Sequence, residues 1–546
     1  MKLSDYVLEF VSRYVRHVFL VTGGGAMHLN DSLERSAVEA VPMLHEQACA
    51  IAAEAYGRIN GLGVVMVTSG PGGTNALTGV AGAWLDSTPM LVLSGQVKRA
   101  DLRRERLVRQ YGLQELDIIS MAKLITKYAA TVMEPNTIRY HIERAIYEAT
   151  HGRKGPVWLE IPLDVQSAEI NPDKLISYEP PEVDSPSLKS EVLKIIQLLN
   201  EAERPVLLLG NGARTDNAIE FAELLDSPVL STWNAADILT HEHYLYFGSP
   251  GVVASRSANF ILQNADLLIV VGARLDFALT GFDKSGFAPN AKKVIVDIDP
   301  AELDKLPGDV LICADAADFM RKTILNKDFI KRELVWQWLE YCNHMEELYS
   351  ISYGWVEDLD IQSDDIIIPG SSGVTLDELW LSVRLSEGQR MFATMGLGAM
   401  GFAIPAAIGA ALASGRRVIC VDGDGSFQVN IQELDTVRRL NLPIKFYYLN
   451  NGGYRSIQLT QDSYFDGRHV GSEFAFPDIK GIAEVYGVDI TEVIMTDEPL
   501  PPRYKSTLNA DGSQIVGRLE NLYPYLPDEE MERNMNHARL PGVQQS

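Results

Sequence analysis

Asp424 opens the stretch of this chain with the clearest chemical potential. It lies in Gly423-Asp424-Gly425-Ser426, and Asn451 follows it by 27 positions in Asn450-Asn451-Gly452-Gly453-Tyr454. Residues 417–421 (Arg-Val-Ile-Cys-Val) precede the first cluster and residues 444–449 (Ile-Lys-Phe-Tyr-Tyr-Leu) the second. Both read as buried parallel strands with about one helix between them. Asp424 and Asn451 then stand at the carboxyl ends of neighbouring strands, where open α/β sheets bind ligands. A carboxylate, an amide oxygen and a nearby backbone carbonyl suit Mg²⁺, which keeps its other positions for phosphate oxygens and water. Read alone, the same residues also make a glycine turn and an Asn-Gly loop.

Glu46 is the second candidate. It sits in His45-Glu46-Gln47, at the start of a helix rich in small residues: Ala48, Ala50, Ala52, Ala53, Ala55 and Gly57. Such a helix lets another helix or a ligand approach closely. Read alone, Glu46 is an N-terminal charge that favours the helix dipole by roughly 0.3 kcal/mol or somewhat more.

The elements that must position these residues fall into three blocks. The first covers residues 1–166 and alternates strand-like runs (64–68, 90–94) with helical ones (46–60), closing on the strand at 156–162. A polar stretch with Pro172, Pro180, Pro181 and Pro186 reads as an exposed linker. The second block covers 187–330, with strands at 205–209, 267–271 and 293–297. Residues 331–364 read as an amphipathic helix and an acidic connector. The third block covers 365–546; its tail after Leu526 is acidic, then basic, and is expected to wrap a surface or fray. The expected class is α/β, with three doubly wound parallel-sheet domains. There is no internal sequence repeat.

Composition narrows the function. At 546 residues the chain is too long for one core. The longest apolar run, residues 402–413, is too short to span a bilayer. The start, Met1-Lys2-Leu3-Ser4-Asp5, has no charged-then-apolar signal pattern and reads as a first helix capped by Ser4 or Asp5. A net charge of −25 argues against nucleic acid, because no basic excess exists to neutralise phosphates. It fits a soluble cytoplasmic enzyme with no membrane partner. Cys49, Cys313, Cys342 and Cys420 are scattered without paired spacing and read as buried, reduced thiols.

Gly-Asp-Gly followed by Asn-Asn at this spacing resembles the diphosphate–metal motif of thiamine diphosphate enzymes. The resemblance implies that Asp424, Asn451 and the Gly453 carbonyl hold Mg²⁺ against the cofactor's diphosphate, with Gly425 and Ser426 beside it. The first block resembles the pyrimidine-binding domain of acetolactate synthases. The matching residues are His45-Glu46-Gln47, Ala53-Glu54-Ala55-Tyr56-Gly57-Arg58, Thr68 to Asn75, Asp86-Ser87-Thr88-Pro89 and Gly95-Gln96-Val97. By that resemblance Glu46 hydrogen-bonds a ring nitrogen of the aminopyrimidine and controls its protons. Gln114 lines the thiazolium side, and Gly24 belongs to the cofactor site. Gly396-Leu397-Gly398-Ala399-Met400-Gly401-Phe402 resembles the segment in which Met400 props the folded cofactor and the Gly398 backbone meets the pyrimidine edge. Gly370, Ser371 and Ser372 align loosely with a loop that touches the diphosphate. In this family the pyrimidine block of one subunit faces the diphosphate block of another, so the resemblance implies a homodimer or tetramer with shared sites.

The acceptor side departs from acetolactate synthase. Their Pro-Lys-Asp is Pro162-Leu163-Asp164 here, and their Arg-Phe-Asp-Asp-Arg is Arg274-Leu275-Asp276-Phe277-Ala278. Their Gln-Trp pair after Asn-Asn is replaced by Tyr454-Arg455-Ser456-Ile457-Gln458-Leu459-Thr460-Gln461. A carboxylate acceptor needs a fixed cation, and two expected features of that pocket are gone. Arg455 is a candidate substitute. This variant looks like the acetolactate-synthase-like proteins of bacterial sugar and polysaccharide pathways. That likeness implies a decarboxylase or carboligase with a small 2-keto acid such as pyruvate as donor and a sugar-linked carbonyl as a candidate acceptor. Gly272-Ala273-Arg274, Asp297-Ile298-Asp299-Pro300 and Asp315 resemble segments that bind FAD in the synthases; the alternative is a middle domain without ligand. The family's helical hairpin and strand after Val488 are absent from the sequence. Competing functions are true acetolactate synthase, a flavin-coupled 2-keto acid oxidase and a non-catalytic scaffold; the intact Glu46 and Asp424 oppose the last.

Overall fold

The computed structural model describes residues 1–494 apart from 183–186, 282–283, 306, 332–335, 351 and 372. Three sheets organise them. The first contains β1 (His17–Leu20), β2 (Glu39–Pro42), β3 (Gly63–Val67), β4 (Met90–Gln96), β5 (Tyr128–Thr131) and β6 (Pro156–Pro162), in the order β2-β1-β3-β4-β6-β5. The second contains β7 (Pro205–Leu209), β8 (Val229–Ser231), β9 (Leu267–Val271), β10 (Lys292–Asp297) and β11 (Val310–Cys313), in the order β11-β10-β9-β7-β8. The third contains β12 (Ile366–Pro369), β13 (Arg390–Met391), β14 (Val418–Gly423), β15 (Ile444–Asn450) and β16 (Ile490–Ile494), in the order β13-β12-β14-β15-β16. Every ladder between these strands is parallel. The reason lies in the sequence. Strands such as Val64-Val65-Met66-Val67 and Leu267 to Val271 are apolar on both faces and buried throughout, which only helix-covered parallel sheets provide.

One apolar core spans the first and third sheets, and a second fills the central block. The shared core is built around the helix Glu46–Asn60, which crosses the helix Ala403–Ser414. Its alanines let backbones meet. A Cβ built on Gly409 would stand 2.0 Å from the Ala52 carbonyl oxygen, and one on Gly79 would stand 2.6 Å from the Ala50 Cβ. The helix Trp336–Tyr349 buries Trp338, Leu339, Cys342 and Met345, the apolar face expected of it.

Three local readings need correction. The first helix, Leu3–Val11, starts after Lys2 and has no side-chain cap. Ser4 is buried and its hydroxyl hydrogen-bonds Ser32 Oγ (2.8 Å), while Asp5 accepts from Ser32 and Arg35, so tertiary contacts occupy both would-be caps. Cys313 is exposed, because β11 is an edge strand whose side chains alternate between core and solvent. Cys49, Cys342 and Cys420 are buried, and burial pushes each thiol well above its ordinary value. The shortened segment after Val488 does not leave β15 without a neighbour, since Ile490–Ile494 pairs with it directly as β16. The tail after Leu526 lies outside the described residues. No helix among the described residues is long and apolar enough to cross a membrane.

Gly409→Ala is expected to lower stability by about 2 kcal/mol or more, since the added methyl meets backbone that cannot rotate away. Calorimetric unfolding checks this; an unchanged Tm would refute the crossing as described.

Candidate active site

β14 and β15 pair in register from Val418↔Ile444 to Gly423↔Leu449, so both strands end together. Asp424 starts the next helix at that edge and is buried, 1% exposed. Its Oδ1 accepts from Gly425 N (2.7 Å) and its Oδ2 from Gly453 N (2.8 Å). Gly452 and Gly453 have φ of +75° and +112°, which lets the loop fold back onto the carboxylate. Burial pushes the Asp424 carboxyl up, and the surrounding amide N–H groups of Gly453, Gly425, Asn451 and Gly452 oppose that shift. One amide atom of Asn451 lies 2.7 and 3.0 Å from the two Asp424 oxygens and 2.9 Å from the Gly453 carbonyl oxygen. As nitrogen it donates to them; as oxygen it joins a convergent set of hard acceptors. Adjacent ligands of octahedral Mg²⁺ stand about 2.9 Å apart. The donor set therefore fits the ion expected here, by a turn of one amide.

The same strand end hides a residue that the motif reading did not single out. Asp422 is fully buried, accepts from Gly423 N and Ser426 Oγ (2.9 Å each), and is pushed up to about 8 by that burial. A Cβ on Gly370 would lie 1.8 Å from its Oδ1, so glycine is required there. Ser426 Oγ also accepts from Gly401 N (2.9 Å), and Asn430 Nδ2 donates to Gly401 O (2.7 Å). Ser426 thus ties the strand end to the loop that carries Gly398 and Met400. The Ser371 hydroxyl is buried with no partner among the described residues, an orphan donor beside the site. Ser372 lies outside the described residues.

Glu46 occupies the first turn of its helix, with His45 Nδ1 accepting from Gln47 N (3.2 Å) as the cap. It is 8% exposed. Asn75 Nδ2 donates to Glu46 Oε2 (3.0 Å), which leaves Oε1 without a hydrogen bond among the described residues. Leu44 N donates to Glu433 Oε1 (3.0 Å), pinning this helix start to the third block. Gly24 is exposed in the 3₁₀ turn Gly24–Ala26, held when Gly25 N donates to Thr68 Oγ1 (3.0 Å). Gln114 is exposed, has φ of +62°, and rests its carbonyl 2.7 Å from where a Gly70 Cβ would be. Gly398 (φ +65°) has open space beside it, and Met400 is 40% exposed. Arg455 is half-buried, and its guanidinium makes no ion pair among the described residues. Gln458, from the altered tail, donates to the Gly452 and Ser472 carbonyls (2.9 Å each) and braces the Asn-Gly-Gly loop.

A cavity of about 570 Å³ opens between all three blocks. Gly212, Gly272, Arg274, Asp297 and Asp315 line it, as does Arg390. One buried polar atom on its wall, Thr215 Oγ1, lacks a hydrogen-bond partner among the described residues, and Arg390 Nε stands 3.5 Å from Asp237 Oδ2 in an ion pair. Burial and the neighbouring Arg214 push Arg390 down to about 10, still cationic at neutral pH.

Residues 1–121 match the N-terminal TPP binding domain of thiamine pyrophosphate enzymes, residues 192–323 their central domain, and residues 370–517 their C-terminal TPP binding domain. The chain belongs to the thiamine pyrophosphate enzyme family. It is 32% identical to the probable acetolactate synthase large subunit of Methanococcus aeolicus, over 92% of this chain and 89% of that protein. It is 31% identical to the acetolactate synthase isozyme 2 large subunit of Escherichia coli K12, over 94% and 95%. It is 32% identical to acetolactate synthase 2, chloroplastic, of Zea mays, over 96% and 87%. This is a thiamine diphosphate-dependent enzyme of the acetolactate-synthase-like carboligase and decarboxylase group.

The two TPP binding domains of this thiamine pyrophosphate enzyme are joined by a buried clasp. Arg58, three turns along the Glu46 helix, donates to Glu54 Oε1 (2.6 Å) and Asp86 Oδ2 (2.7 Å). All three side chains are buried. Asp86 also accepts from Met395 N (3.1 Å) and Gly396 N (2.8 Å), where the loop to Gly398 and Met400 begins. Burial pushes the Glu54 carboxyl up, against the pull of Arg58. Arg58, Asp86 and Met395 also form one wall of the cavity. Asp86 and Asn75 stand within the family-like motifs, but their tasks became visible only when distant segments were brought together.

Asp86→Ala is expected to release the Met395 and Gly396 amides and to leave Arg58 underpaired. Amide hydrogen exchange across residues 395–401 should rise and stability should fall by about 3 kcal/mol. Unchanged protection in that loop would show that the clasp does not hold it.

Proposed function

We propose that this enzyme decarboxylates a small 2-keto acid such as pyruvate and transfers the resulting acyl unit to an acceptor other than a free keto acid, with a sugar-linked carbonyl as the favoured class. The observation that carries the reading is the pairing of a buried glutamate with one free oxygen, Glu46, and a buried acceptor set, Asp424, Asn451 and the Gly453 carbonyl. Thiamine diphosphate, when bound, supplies the electron sink that a 2-keto acid needs on losing CO₂. Glu46 then holds a proton at the pyrimidine ring nitrogen through Oε1, while Asn75 fixes its other oxygen. Asp424, Asn451 and the Gly453 carbonyl would hold Mg²⁺, and the Ser371 hydroxyl with Gly425 and Ser426 would serve the diphosphate. Met400 and Gly398 would lie against the cofactor, and Gln114 would border its reacting side.

Several further points belong to the same proposal. The enzyme works in the cytoplasm as a homo-oligomer, with Glu46 of one subunit serving the Asp424 site of the next. The large cavity with its orphaned Thr215 hydroxyl favours FAD as a second, structural cofactor. The sugar-pathway variant is favoured over acetolactate synthase by Leu163 and Ala278, which stand where cations are expected for a keto acid acceptor, and by the Tyr454–Gln461 tail, which replaces the Gln-Trp pair of that pocket.

CO₂ release from pyruvate and a short panel of 2-keto acids, with Mg²⁺ and thiamine diphosphate, tests the donor half. Glu46→Gln should lower release about 10²- to 10⁴-fold with little change in thiamine diphosphate affinity, because only proton control is lost. Near-normal turnover in that variant would sink the role of Glu46. Asp424→Ala should instead weaken retention of both Mg²⁺ and cofactor, read by equilibrium dialysis. Acetolactate formed from pyruvate alone would favour the synthase reading, and flavin absorbance in the purified protein would decide the cavity's occupant.

A further inference from the structure

Residues 98–109 stand out in this acidic chain. They contain Lys98, Arg99, Arg103, Arg104, Arg106 and Arg109 against only Asp101 and Glu105, while the whole chain carries −25. A protein with so many carboxylates can pair its arginines readily, yet here it does so once. Arg99 Nε meets Asp164 Oδ2 at 2.8 Å, with Glu134 farther off at 3.9 Å. The other five basic side chains form no ion pair among the described residues. Arg106 stacks 3.9 Å above the Tyr111 ring, which leaves its charge unneutralised. Arg104, Arg106 and Arg109 are exposed.

This segment is a built loop. Glu115 is buried, and its carboxylate accepts from Arg103 N (3.2 Å) and Tyr111 N (3.1 Å). Gln110 Nε2 donates to the Glu115 carbonyl (3.1 Å). A Cβ on Gly112 would lie 2.8 Å from the Asp101 carbonyl oxygen, so the two ends close on each other as in compact functional loops. Arg104 has φ of +49° and Gln114 +62°, left-handed conformations that ordinary side chains seldom adopt. The loop's far end is fixed at the cofactor site. Gln114 rests on Gly70, which starts the helix Pro71–Leu85, and Asn75 in that helix bonds Glu46. Arg109 is five residues from Gln114, a reach of at most roughly 18 Å.

We propose that this arginine loop binds the phosphate or diphosphate group of a phosphorylated carbonyl acceptor and thereby sets acceptor specificity. The proposal rests on the decarboxylase and carboligase reading above. Arginine suits the task, because its fork of N–H donors matches phosphate oxygens and its charge persists at every working pH. The loop carries that charge on exposed side chains, apart from the buried groups around Glu46 and Asp424. Cations expected closer in are absent at Leu163 and Ala278. Binding energy from the remote phosphate is then available to hold a weakly bound carbonyl in place.

The test uses full-length enzyme saturated with thiamine diphosphate and Mg²⁺, with the 2-keto acid that releases CO₂ as donor. Erythrose 4-phosphate and erythrose serve as paired acceptors, and glycerol 3-phosphate as an unreactive probe measured by calorimetry. The phosphorylated aldehyde should show a KM at least about tenfold lower, and raising the salt should narrow that gap. The double variant Arg104→Ala/Arg109→Ala should raise KM for erythrose 4-phosphate about ten- to hundredfold, shift KM for erythrose less than about twofold, and lose glycerol 3-phosphate binding. Equal KM values for the two aldehydes overturn the proposal. So does a variant that shifts both alike, or one that changes only the oligomeric mass, which would make the loop a subunit contact. If neither aldehyde reacts, calorimetry decides: glycerol 3-phosphate binding lost in the variant supports the site, and no binding to the unsubstituted enzyme overturns it. An enzyme that releases no CO₂ from any 2-keto acid instead removes the parent reading, and this one with it.

Discussion

The backbone-to-backbone crossing of the helices Glu46–Asn60 and Ala403–Ser414 is the constraint on which the rest depends. Neither helix offers bulk at the contact; both present alanine and glycine. Close packing of small residues gives up apolar area per side chain but gains rigidity, because backbone atoms have no rotamers to change. Glu46 sits at one end of that contact and Arg58 near the other. The crossing therefore sets, in one step, where the glutamate stands and where the clasp to Asp86 forms. Leu44 bonded to Glu433 fixes the helix start against the same third block. A helix shifted by one residue would misplace all of these at once.

Electrostatics divides the site into two environments. The cofactor side is made of buried carboxylates: Glu46, Asp422 and Asp424. Burial of carboxylates is costly unless donors or cations satisfy them. Asp422 is pushed up to about 8 by burial beside Asp424, and Gly423 N and Ser426 Oγ donate to its carboxyl. Asp424 receives two direct amide hydrogen bonds and stands ready for a cation. Glu46 keeps one oxygen fixed and one available. The loop at residues 98–109 has the opposite character, with exposed arginines in an otherwise acidic protein.

The sequence was most legible where chemistry imposes short-range spacing. The parallel sheets could be read from fully apolar strands, and Asp424 and Asn451 from their places at two strand ends. The small-residue run after Glu46 announced a close approach, and Gly409 and Gly79 show what approaches. What could not be read depends on distant pairs. Ser4 looks like a helix cap until Ser32 claims it, and Cys313 looks buried until β11 proves to be an edge. Asp86 bonds to Gly396, 310 positions away, and no local pattern encodes such a contact. Asp422 was hidden for a different reason, since a strand-end aspartate two residues before a better-known one draws no notice until its burial is seen.

The two halves of the site also differ in how firmly they are held, and that difference bears on specificity. The cofactor half is bound into the core through the helix crossing, the clasp and the buried strand end. The arginine loop is tied to the core by Arg99, which bonds Asp164 and the Met133 carbonyl, and by the Gln114–Gly70 contact. Changing a core contact shifts Glu46 or the cofactor loop and so affects every reaction the enzyme performs. Changing an exposed arginine leaves those contacts in place and alters only what the loop attracts. Leu163, Ala278 and Tyr454–Gln461 depart from the synthase motifs while Glu46, Asp424 and Asn451 keep theirs. If the loop binds the acceptor as proposed, a scaffold partitioned in this way keeps its donor chemistry while its acceptor changes, because packing and buried hydrogen bonds hold the first and solvent-exposed charges select the second.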